Sequence, residues 1–287
     1  MILTLHRDTT APSWLRQSLQ VCGIALAALS LFAGSGRADP LLSAEVVRRY
    51  EAPEANQGVA ADDRALYAVG TSEIGRYDRT SGRRTGGWLG DPKQFPHLNS
   101  CAAIGRELVC AASNYPATPM RSTVEIFDLA SLAHKRSIRL GRQKGSLTWV
   151  VRKDRAWWAC FANYDGKGGE PGRDHRATIV VKFDRAWRRV GVWRFPPAVL
   201  ARLAPRSASG GVLDAQGLLY VTGHDAPEVY VLRAPPDGDE LEHLVTVAAP
   251  IEGQAIALDP ADPRRLYGIS RSNRQVVEMR LPDLPAR

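Results

Sequence analysis

The chain has 287 residues, 44% of them apolar and 24% charged, with a formal net charge of +8. That length can bury one large core or two small ones, and the Gly and Pro that punctuate it throughout leave no stretch that reads as a long amphipathic helix. Arginine is scattered through every segment rather than gathered into a block, which points to a solvated basic surface and away from nucleic acid as a partner.

At the N-terminus, Arg7 and Arg16 precede an uncharged, mostly apolar run from Val21 to Ala33, and small residues follow up to Gly36-Arg37-Ala38. This is the order of a cleavable export signal over residues 1–38, with cleavage expected after Ala38. The apolar run has 13 residues, short of the roughly 20 that a bilayer-spanning helix needs. Cys22 lies ahead of most of the run, the wrong place for a lipid-modified cysteine. The reading is therefore a periplasmic or secreted protein with no membrane span after signal cleavage. Its body, residues 39–287, has 249 residues; losing three Arg and one Asp with the signal leaves a net charge of +6.

The body repeats one pattern five times: an inner strand, a tight turn, and a second strand opening with a bulky pair. The pairs are Leu66-Tyr67, Leu108-Val109, Trp157-Trp158, Leu219-Tyr220 and Leu266-Tyr267. A β-branched third strand follows each, over Ile74 to Asp78, Val124 to Asp128, Thr178 to Asp184, Val229 to Arg233 and Val276 to Arg280. The last residues of these strands are spaced by 50, 56, 49 and 47 residues, the length of a four-stranded propeller blade. A fourth strand follows in four copies but not in the fifth. Ala44 to Tyr50, ahead of the first copy, has the character of the missing one. The expected fold is all-β: a single propeller of five four-stranded blades, closed by an N-terminal strand that completes the last blade and removes open sheet edges. Ala198 to Leu203 reads as one short helical turn between blades.

Three cysteines remain in the body, Cys101, Cys110 and Cys160. A two-residue hairpin turn at Gly105-Arg106 sets Cys101 opposite Cys110, at a separation that suits a disulfide, and an oxidising compartment lets it form. Two buried thiols are the other reading. Cys160 is then odd and reads as core.

In a propeller the loops joining second to third strand and those joining successive blades emerge on one face, around the mouth of the central channel. The third blade's loop there, Asn163-Tyr164-Asp165 through Arg173-Asp174-His175, is long, glycine-rich and charged, and shares its Asn-Tyr opening with Asn114-Tyr115 of the second blade. Long decorated loops on a rigid scaffold are where function concentrates. Aligning the copies places Ser72, Asn114, Asn163, Asp225 and Ser272 at one level, and Gln57, Asn99, Ser146, Ser209 and Gln254 at the start of the inner strands. These rings read either as strand-end caps or as a polar binding floor. His97, His175 and His224 map to the same face. Neutral imidazoles near carboxylates there could bind a metal or move protons, and solvated or capping histidines are the plainer reading. Asp165 to Glu170 fails the calcium-loop pattern because Lys167 and Gly169 occupy acidic positions. Gly166 to Gly169 lacks the helix and Lys-Ser/Thr pair of a phosphate cradle. The sequence thus names neither a metal nor a cofactor.

The stretch from Gly145 through Arg271 resembles a group of exported bacterial propeller proteins described as cycloisomerase-like. The resemblance rests on Gly145-Ser146-Leu147-Thr148-Trp149, Cys160 to Gly166 with its continuation to His175, and Thr222-Gly223-His224-Asp225. It implies a propeller fold and kinship with lactone-forming muconate cyclases, and it transfers no catalytic residue. Two functions follow. In one, the loop-rich face holds a small molecule, as a binding, isomerase or lactonase-like site. Arg173, Arg206 or Arg271 would grip an anionic group, His175 or His224 with Asp165 or Asp225 would handle protons, and Asn114, Tyr115, Asn163, Tyr164 and Gln254 would line the site. In the other, the same face is a non-catalytic module for a protein or glycan, which exposed aromatics around Tyr115, Tyr164 and Phe95 would favour.

Overall fold

A computed structural model describes residues 42–141 and 143–284. The N-terminal run read as an export signal, its cleavage site and Cys22 lie outside the described residues.

The described chain opens with β1 (Glu45–Glu51) and then lays down four complete blades. Blade 1 comprises β2 (Gly58–Ala61), β3 (Ala65–Val69), β4 (Glu73–Asp78) and β5 (Arg84–Leu89), and blade 2 comprises β6 (Leu98–Ile104), β7 (Glu107–Ser113), β8 (Ser122–Asp128) and β9 (His134–Gly141). Blade 3 follows as β10 (Ser146–Lys153), β11 (Ala156–Ala162), β12 (Ile179–Phe183) and β13 (Arg189–Arg194). After a short helix α1 (Pro197–Leu203), blade 4 runs β14 (Gly210–Leu213), β15 (Leu219–Thr222), β16 (Glu228–Arg233) and β17 (Glu242–Ala248). Blade 5 takes β18 (Ala257–Leu258), β19 (Arg265–Ser270) and β20 (Gln275–Arg280) from the C-terminal part, and its outer strand is β1, paired antiparallel with β20. The protein is a five-bladed β-propeller of four-stranded antiparallel sheets, closed as the repeat pattern predicts.

The bulky pairs work as the alternation of a strand requires. Successive residues point to opposite faces, so Leu66 packs between blades 5 and 1 while Tyr67 packs between blades 1 and 2. Five buried apolar clusters fill the five gaps between adjacent blades, and the one between blades 5 and 1 includes Tyr50 of the closing strand. In blades 1, 4 and 5 the second member of the pair is a tyrosine whose hydroxyl donates to an aspartate in the preceding turn. The pairs are Tyr67 to Asp62 at 2.7 Å, Tyr220 to Asp214 at 3.2 Å and Tyr267 to Asp259 at 3.1 Å.

The hairpin at Gly105-Arg106 has the predicted register, with Ile104 opposite Glu107 and Cys101 opposite Cys110. The two cysteines are joined in a disulfide. Cys160 is buried and free, and burial pushes its thiol up to about 12, which makes it inert core. Among the described residues no helix is long and apolar enough to cross a membrane.

Candidate functional site

The upper face, which carries the β7–β8, β11–β12, β15–β16 and β19–β20 loops, gathers the candidate residues into two centres. The long β11–β12 loop is fastened on both sides. Its Glu170 accepts the Met120 backbone N–H of blade 2 at 2.7 Å, and the Asp165 N–H donates to the Pro205 carbonyl ahead of blade 4 at 3.0 Å. Gly168, at φ +80°, lies flat on the Tyr115 ring, where an added Cβ would come within 2.3 Å of that ring. Only glycine permits both the left-handed backbone and this approach.

In the first centre, His175 Nδ1 lies 2.9 Å from the Asp165 carboxylate, and the His175 backbone N–H donates to the same group at 3.0 Å. That backbone bond, then the imidazole, hold Asp165 below the usual carboxylate range although burial opposes them. Asp174 completes a group whose ligand atoms all lie within 4.8 Å of one another, a set that could hold a divalent cation. Its oxygens are otherwise engaged, since Asp174 accepts the Arg176 N–H at 2.9 Å and pairs with the Arg176 guanidinium. The loop walls an open cleft of about 1050 Å³ beside this centre.

The second centre is on the β15–β16 loop, with Arg271 reaching it from the β19–β20 loop and Arg206 from the segment between α1 and β14. His224 Nδ1 lies 2.6 Å from Asp225, and Arg271 and Arg206 reach the same carboxylate at 2.7 Å and 3.5 Å. Burial works against ionisation of Asp225, but the bonds from His224 and Arg271 together outweigh it and lower its pKa. Burial lowers the His224 pKa, the bond from Asp225 opposes this, and the two arginines add to the lowering. His97 also feels the His224 charge; burial above all takes His97 down to about 4, so this imidazole is neutral. From His97 an aromatic run continues to Tyr115 and on to Tyr164, each step 5.1 Å between ring centroids. Tyr164 is pushed up by burial, opposed by the neighbouring Ser146 hydroxyl and by the nearby Arg206 charge. His97, Tyr115, Tyr164, Arg206, His224, Asp225 and Arg271 therefore form one belt from blade 2 to blade 5.

Of the candidate histidines and aspartates, His175 is paired with Asp165 and His224 with Asp225, and two of the three arginines converge on Asp225. Arg173 does not; it pairs with Glu170 at 3.4 Å within its own loop. Asn114 and Asn163 are caps. Asn114 bridges its loop through the Pro119 carbonyl and the Arg121 N–H, and Asn163 donates to the Lys144 and Ala177 carbonyls at 2.8 Å and 3.0 Å. Gln254 is buried at the start of the fifth inner strand with φ +66°, its backbone tied to Gly223 and Thr222. A non-glycine residue in that region costs about 1–3 kcal/mol and persists where surroundings enforce it. Phe95 is 7% exposed and packs edge-on to Trp88 and His134, so it offers no aromatic surface. The sequence groups His97 with His175 and His224 as candidates to bind a metal or move protons, but assigns it to neither functional site.

No protein-family model and no curated protein sequence matches the chain. Among solved structures, the luciferin-regenerating enzyme aligns with a TM-score of 0.49 at 12% identity, covering 85% of this chain and 96% of that one. A chain of the mitotic checkpoint complex gives 0.46 at 11% identity over 92% and 100%. Hydrazine synthase of Kuenenia stuttgartiensis gives 0.45 at 12% identity over 77% and 82%. These likenesses are distant and carry no inference about activity.

Proposed function

We propose that this propeller is an exported protein that holds a small anionic molecule on its loop-rich face, with His224 as the proton-handling group of an isomerase- or lactonase-like site. The observation that carries the reading is the convergence of His224, Arg206 and Arg271 on Asp225. An ionised Asp225 can only accept, so Nδ1 of His224 bears the proton and Nε2 is the basic nitrogen. His224 and Arg271 keep Asp225 charged, and the two arginines present further donors to an anionic group. Tyr115 and Tyr164, packed edge-on to each other, supply an aromatic wall beside it. The buried Phe95 speaks against a broad aromatic surface for a protein or glycan.

The test is a thermal-shift and turnover screen of small carboxylates and lactones against wild type, His175→Ala, His224→Gln and the double variant His175→Ala/His224→Ala. His224→Gln is expected to lower turnover by about 100- to 10,000-fold, with His175→Ala near wild type. Because burial and the arginines place the His224 pKa below the ordinary 6.5, the acid limb of the rate lies below that pH and a plateau above it. A double variant that keeps ligand binding and turnover unchanged removes the histidine-centred reading.

A further inference from the structure

We propose that the lower edge of blade 3 is a docking surface for an anionic phospholipid bilayer. Two turns meet there: residues 153–156 between β10 and β11, and residues 184–188 between β12 and β13. Trp157 and Trp187 stack at 4.8 Å with an 11° tilt and join the turns, and the Arg152 guanidinium lies over Trp157 at 5.5 Å. Register sets Arg152, Trp157, Phe183 and Arg189 in one row across the sheet.

Residues 152–155 and 182–189 hold seven Lys or Arg and two Asp, a net +5 of the chain's +8. Arg scattered along the sequence is thus concentrated by the fold. Asp184 pairs with Arg188 and Asp154 with Lys153, while exposed Arg155, Arg185 and Arg189 have no carboxylate partner among the described residues. Val190 beside them is 59% exposed. The acidic loop 234–242 of blade 4 carries a net −4 and touches blade 3 at Arg194. Five residues along a strand put Arg194 roughly 17 Å from Arg189, beyond the Debye length of about 8 Å at physiological salt.

Hairpin tips are convex and suit a plane. Arginine, half-buried tryptophan and an exposed valine are the groups that favour a headgroup region. The turn also sacrifices backbone comfort for charge: Asp154 and Arg155 sit at φ +49° and +66°, a pair of positions where Asn-Gly is preferred.

Co-sedimentation of the purified full chain with vesicles of phosphatidylglycerol in phosphatidylcholine, against phosphatidylcholine alone, tests the surface. The chain's own apolar N-terminal run is common to all variants, so the readout is the phosphatidylglycerol-dependent, salt-sensitive part of binding. The triple variant Arg155→Gly/Arg185→Ser/Arg189→Ser is expected to lose about 100-fold of it, at about five-fold per arginine. Arg49→Ser/Arg121→Ser/Arg139→Ser, with the same net charge, is expected to keep it. Arg155→Gly alone, which suits the turn and so preserves the fold, is expected to lose about five-fold. No phosphatidylglycerol-dependent binding by wild type, equal loss in both triple variants, or binding of soluble dextran sulfate through these arginines with vesicles unbound would overturn the proposal.

Discussion

His97 is the group in which burial has the clearest energetic consequence. It titrates near 6.5 when unfolded and at about 4 in the fold, chiefly through desolvation. Between those values the unfolded chain binds a proton that the folded chain refuses, so stability rises with pH across that window. The contribution is complete above pH 6.5 and is lost as pH falls to 4, on the order of 3 kcal/mol. His97→Gln is expected to flatten this limb in urea midpoints measured from pH 4 to 7; an unchanged slope assigns the effect elsewhere. The residue scale also marks where sequence reading stops. His224 and Asp225 are neighbours in the chain, so their pairing is legible. Arg206 and Arg271 reach Asp225 from 19 and 46 residues away, and only the ring brings them there. Asn114 and Asn163 look like ligand-binding residues in the sequence because a short polar side chain that caps a strand end is indistinguishable from one that faces a ligand.

At the scale of elements the repeats are legible because turn chemistry repeats with them. Asp78 and Asp128 each accept the backbone N–H and hydroxyl of the serine three residues on, and Asp184 accepts the Ala186 and Arg188 N–H groups. These aspartates close the turns between third and fourth strands, which is why they mark the period. Blades 4 and 5 end their third strands on Arg233 and Arg280 instead, and there the bulky pairs Leu219-Tyr220 and Leu266-Tyr267 with the β-branched strands mark the repeat. The loop fastenings were not legible, since the Glu170 to Met120 bond joins two loops 50 residues apart. The Cys101–Cys110 bridge follows from hairpin register and spans nine residues, so it constrains a small loop of the unfolded chain. Cys101→Ser with Cys110→Ser is expected to cost on the order of 2 to 3 kcal/mol, read as a lower urea midpoint that matches the reduced wild type. A midpoint equal to oxidised wild type would show that the paired strands hold the register unaided.

For the whole molecule, closure is the organising fact. Tyr50 of β1 lies opposite Val276 of β20, is 4% exposed, and donates its hydroxyl to the buried Glu278 at 2.7 Å. A chain begun at Ala52 would leave β20 an open edge; it is expected to elute as concentration-dependent oligomers in size exclusion, whereas a monomeric, fully stable product would show that four and three-quarter blades suffice. The closing strand also sets an order of events. In any chain that emerges N-terminus first, whether from a ribosome or through a translocation pore, β1 waits without its partner until β20 (Gln275–Arg280) has followed. Every earlier blade can form around an unfilled gap, but the ring cannot lock while any part of the body is still threading.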